Sequence, residues 1–123
     1  MADEITVNLT ITVANTPFDQ TYQFNETYDQ SAIGGGNPGK VNISTSEEDV
    51  ALGDITTPSL YIIHNLDTTN YVTVGVSATT PTLAAMQRIG AGKIGFGWLD
   101  PAATLRAEAN TAAVDIMIWV FEA

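Results

Sequence analysis

The chain of 123 residues sets four Lys and Arg against fourteen Asp and Glu, a net charge of −10, with 45% hydrophobic and 15% charged residues. That length suits one domain with a real core, and the apolar share excludes wholesale disorder despite the acidic balance. So few cations argue against neutralising nucleic-acid phosphates or holding an anionic membrane, so the expected partners include neither nucleic acid nor membrane.

The absence of Cys excludes disulfides, thiolate nucleophiles and thiolate metal sites. Met1-Ala2-Asp3-Glu4 is acidic where a secretory signal is basic, and no run approaches the ~20 apolar residues that span a bilayer. The expectation is synthesis and folding in the cytosol.

In chain order, Ile5, Val7, Leu9, Ile11 and Val13 alternate with Thr6, Asn8, Thr10 and Thr12, the period of a half-buried antiparallel strand. Asn15-Thr16-Pro17 ends it, because Pro cannot donate to a ladder. Tyr22, Phe24 and Tyr28 keep one parity and suggest a second strand. Gly34 to Gly39 is a loop internal to the domain, and Val41 and Ile43 suggest a short strand. Ser44 to Asp49 is polar and acidic, and Val50-Ala51-Leu52 suggests a strand closing at Gly53-Asp54.

Leu60 to His64 and Tyr71 to Val76 are β-prone runs joined by a short Asn/Asp segment, the pattern of a hairpin. Leu83 to Ile89 has a helical composition, but a run of only seven residues, bounded by a Pro and a Gly, suits a strand better. Ile94, Phe96 and Trp98 alternate with Gly95 and Gly97. Leu105, Ala107 and Ala109 alternate again, and Val114, Ile116, Ile118 and Val120 share one face of a final strand. Eight to ten short strands at this spacing predict an all-β fold: a single antiparallel β-sandwich over residues 1–123, jelly-roll-like in connectivity.

Catalytic chemistry finds little to build on. His64 is the sole His, and at a strand end it is expected to be a hydrogen-bonded structural residue. One His without Cys does not make a zinc site, and the EF-hand spacing is absent, so no metal or other cofactor is expected. Gly34 to Lys40 has the glycine spacing of a phosphate-binding loop, but Val41 stands where that motif needs a hydroxyl. The three sequons at Asn8, Asn25 and Asn42 are what a Thr- and Asn-rich chain produces by chance.

Surface chemistry is more informative. The second face of the last strand carries Asp115, Met117, Trp119 and Phe121, so both faces are largely apolar. A strand with one solvated face should alternate apolar with polar; two apolar faces require a second covering layer or another chain. Trp98, Met117, Trp119 and Phe121 are therefore candidate interface anchors. Gly95 and Gly97 are expected to let another backbone approach. Asp3 and Glu4, with Glu47, Glu48 and Asp49, are candidates for orienting the chain against a basic partner surface.

The run His64-Asn65-Leu66-Asp67-Thr68-Thr69-Asn70-Tyr71-Val72-Thr73-Val74-Gly75-Val76 resembles a pattern in small virion proteins of tailed bacteriophages. So do Gly92 to Leu99 and the run from Pro101 to Val114 with its Ala109-Asn110-Thr111-Ala112 turn, and the likeness covers about residues 60–123. It implies a non-enzymatic structural protein, first of all a capsid cement or decoration protein on the outer surface of the virion. The partners it implies are the major capsid protein and copies of this chain, as a homo-oligomer with a trimer favoured. A neck, tail or fibre component is the alternative within that class. A carbohydrate-binding β-sandwich using Tyr22, Tyr28, Tyr61 and Tyr71 is the alternative from another class.

Overall fold

The structure is a computed structural model that describes residues 5–29, 39–52, 55–79, 82–100 and 102–122. The described residues are all β, with ten strands. The chain, expected as one sandwich over residues 1–123, divides into two compact units, one with the first two strands and one with the other eight.

The first unit is a hairpin of β1 (Ile5–Asn15) and β2 (Phe18–Tyr28), in register from Ile5 opposite Tyr28 to Asn15 opposite Phe18. The turn falls where Pro17 was expected to end the strand, and the Thr16–Pro17 peptide is cis. Ile5, Leu9 and Ile11 oppose Tyr28, Phe24 and Tyr22, so the alternation seen in sequence forms one apolar face of the ribbon. Ile5 is buried, whereas Ile11, Val13 and Tyr22 near the turn are exposed. Strands β1 and β2 pair only with each other. A period of two specifies that a strand has two unlike faces; it does not specify how many neighbours the strand has.

The second unit is a sandwich of two four-stranded antiparallel sheets. One has the order β3 (Gly39–Ile43), β10 (Val114–Phe121), β5 (Leu60–Asn65), β8 (Ile94–Trp98). The other has the order β4 (Glu48–Asp49), β9 (Leu105–Ala109), β6 (Val72–Thr79), β7 (Thr82–Ile89). The pairs β3–β10, β4–β9, β5–β8 and β6–β7 are nested, as in one long antiparallel ribbon folded over into two layers. Ile43, Ile63, Val114, Ile116, Ile118 and Val120 of the first sheet and Val72, Val74, Ile89 and Leu105 of the second form the core.

Two local expectations change. Leu60–Asn65 and the strand after it do not form a hairpin, because β5 and β6 belong to different sheets. The buried Asn65 makes the crossing: its Nδ2 donates to the carbonyls of Asn70 (2.9 Å) and Ile89 (3.0 Å), and its Oδ1 accepts from Asp67 N (2.9 Å). A side chain that takes over backbone partners in this way turns the chain between layers. The strand expected at Val50–Leu52 lies earlier, at Glu48–Asp49. Val50 N still donates to Leu105 O (2.9 Å), but the Val50 side chain leaves the ladder to fill the core. Leu83 to Ile89 is a strand, its helical composition overridden by pairing with β6.

At the end of the last strand, Glu122 ties the chain down. Its Oε1 accepts from Thr56 N (2.8 Å), Thr57 N (3.0 Å) and Thr56 Oγ1 (3.2 Å). Donation from the Thr57 and Thr56 amides holds this carboxyl below the usual glutamate range.

Candidate protein-binding face

The inward side of β10 is spent on the core, so its other side, with Asp115, Met117, Trp119 and Phe121, faces away from the second sheet. Pairing with β5 and β8 then fixes which residues join them, since side chains directly opposite share a face. The result is three cross-strand rows: Met117–His64–Ile94, Trp119–Ile62–Phe96 and Phe121–Leu60–Trp98. The floor under the last row is continued by backbone bonds from Ser59 N to Phe121 O (2.9 Å) and from Leu99 N to Ser59 O (2.6 Å).

This face is open. Ile94 is 63% exposed, Trp98 51%, Trp119 48%, Phe96 44% and Met117 37%. Aromatic side chains carry about 150–250 Å² each, so the three aromatics, with Ile94 and Met117 beside them, leave on the order of 500 Å² of apolar surface uncovered, near the top of what a monomer tolerates. A shallow depression of about 200 Å³ lies between Ile62, His64, Met117 and Trp119.

A charged pair stands at the β3 flank. Lys40 opposes Met117 and Asn42 opposes Asp115. Asp115 Oδ2 lies 3.0 Å from Lys40 Nζ, and its Oδ1 accepts from Asn42 Nδ2 at 2.8 Å. The Asn42 hydrogen bond first, and Lys40 after it, hold the Asp115 carboxyl below the usual carboxylate range.

The structure thus brings Trp98, Met117, Trp119 and Phe121 onto one surface and adds Ile62, His64, Ile94 and Phe96. His64 stands half-buried among apolar neighbours on this face. Its signal was the parity of Leu60, Ile62 and His64 in a run whose two faces are both apolar.

Gly95 and Gly97 serve the interior instead of a foreign backbone. A Cβ on Gly95 would lie 2.5 Å from Ile89 Cδ1 and 2.8 Å from Gln87 Oε1, and one on Gly97 would lie 3.4 Å from the Tyr61 ring. The bare side of β8 is therefore filled by side chains of this chain's own core.

The acidic candidates lie elsewhere. Glu47, Glu48 and Asp49 are at the β4 edge of the other sheet, each with a partner in this chain. Glu47 Oε2 accepts from Leu83 N (3.1 Å), and Glu48 Oε2 accepts from Ser44 Oγ (2.5 Å). Asp49 Oδ1 accepts from Arg106 Nη1 at 2.6 Å. Asp3 and Glu4 lie outside the described residues, as do Gly34 to Pro38 of the loop. Among the described residues no three His, Asp or Glu side chains converge as a metal site would require.

Two of the four tyrosines named for a sugar-binding platform are engaged within the sandwich. Tyr61 is buried and its hydroxyl donates to Gln87 Oε1 (2.9 Å); burial also raises its pKa. The Arg88 guanidinium covers the Tyr71 ring at 3.6 Å from the centroid. Tyr22 and Tyr28 belong to the hairpin.

Compared with protein-family models, with curated proteins and with solved structures, the chain gives no match.

Proposed function

We propose that the protein is a structural, non-enzymatic component of a bacteriophage particle, a cement or decoration protein on the outer surface of the head. It binds the lattice of the major capsid protein and stabilises it, and the open aromatic face of β10, β5 and β8 is its joint to other protein molecules. That face is the observation that carries the reading. Trp, Phe and Met are the residues of interface cores, and a chain with a net charge of −10 keeps such a face soluble until it is covered. The likeness of residues 60–123 to small virion proteins supplies the setting, and the nested strand pairs agree with a jelly roll, an architecture at home in capsids. A lattice multiplies a modest contact by its symmetry, so one small joint per copy suffices.

Sedimentation with purified expanded heads, and separately with tails, tests this. The chain should pellet with heads. Trp119→Asp should lose at least tenfold in affinity, as a central aromatic anchor does, while keeping its circular dichroism spectrum. Binding to tails alone, or a Trp119→Asp variant that pellets with heads as well as the parent, would overturn the proposal.

A further inference from the structure

We infer that the molecule covering the aromatic face is a second copy of this chain, packed sheet against sheet about a two-fold axis near Ile62. This rests on the reading of that face as a protein joint and adds the occupant.

Charge makes the choice. None of the nine residues in the three rows is acidic, and the carboxylate beside them on β10, Asp115, is neutralised by Lys40 at 3.0 Å. The acids at positions 47–49 and Glu108 belong to β4 and β9 and their approach, on the other sheet. A joint made for a basic partner would carry carboxylates at its rim. A joint between two copies of a −10 chain must be cleared of them, because like charges set face to face repel. The three rows are cleared in this way.

Area agrees. On the order of 500 Å² from each copy makes about 1,000 Å² in all, the lower bound for a specific interface. Two sheet faces pack about 10 Å apart with strands nearly aligned, and a patch that meets its own copy gives a closed two-fold pair. The expected free species is thus a dimer, in place of the trimer that the resemblance implies. The pair would reach the shell with two contacts at once, so losing the pairing also weakens shell binding.

The chain's lack of Cys makes the test clean. Ile62 is the middle residue of the middle row, so Ile62→Cys should be joined to its counterpart by a bis-maleimide long enough to span the roughly 10 Å between packed sheets. Thr12→Cys, on the polar face of the hairpin, serves as the collision control. At tens of micromolar the parent should sediment at twice the 13.1 kDa chain mass, and Trp119→Asp should dissociate at least tenfold more readily. A parent that stays monomeric, with no Ile62→Cys linkage, but still pellets with heads would overturn the second copy and leave the joint standing. A monomer that binds no heads would overturn both. A mixture of Ile62→Cys and Ile11→Cys chains that links only as the mixed pair would put the hairpin of another copy on the face, and would also overturn the inference.

Discussion

Ile118→Ala is expected to destabilise the sandwich by about 2–5 kcal/mol, a large share of the ~5–15 kcal/mol that holds a domain of this size. Ile118 is fully buried at the middle of β10, opposite Ile63 on β5. Alanine there removes three carbons from a close-packed interior, and the two sheets cannot follow the shrinking side chain without breaking their ladders. Urea unfolding reads the effect. The adjacent position gives the contrast: Trp119→Asp should stay within about 1 kcal/mol of the parent, because that side chain is on the open face. Equal losses at 118 and 119 would mean that both faces of β10 are interior.

Gly75→Ala is the second large effect. A Cβ at Gly75 would sit 2.0 Å from the carbonyl oxygen of Ala84, 2.8 Å from its carbonyl carbon and 3.0 Å from Ala85 Cα. All three are backbone atoms of β7, so no rotamer change relieves the overlap. The close approach occurs where the register between β6 and β7 shifts, between Val74 and Gly75. Bulged strands bring backbones together, and only glycine fits there. The substitution should cost at least about 3 kcal/mol, beyond ordinary overpacking, since the hairpin must re-register. Gly97→Ala meets only the Tyr61 ring at ordinary contact distance and should stay within about 1 kcal/mol. A Gly75→Ala variant as stable as Gly97→Ala would show that β7 does not pass over β6 as described.

The strands that could be read from sequence are those whose two faces differ. Ile5 to Val13 and Val114 to Val120 announce their pleat by alternation, and both are strands in the structure. The outward-facing apolar side chains of Trp98, Met117 and Trp119 stood out for the opposite reason, as apolar residues on a side where the pattern calls for polar ones, and all three are exposed in the structure. What sequence could not supply is pairing. Residues 60–64 and 71–76 look like two halves of a hairpin because a short Asn/Asp segment serves both a tight turn and a crossing between sheets. The difference lies in whether Asn65 bonds locally or reaches Ile89 O, twenty-four residues on. Pairing is also what adds Ile62, His64, Ile94 and Phe96 to the face, through β5 and β8. The glycines of β8 were misassigned on the same ground: a bare position invites whatever packs there, and Ile89 and Tyr61 are long-range neighbours that alternation does not predict.

The chain has two tryptophans, Trp98 and Trp119, and both stand on the open face. Intrinsic fluorescence therefore reports that surface. Emission should be red-shifted in dilute protein, as for indoles in water, and should move to shorter wavelength when the protein is concentrated or bound to heads. Association accompanied by unchanged emission would place the contact elsewhere on the molecule and contradict the account.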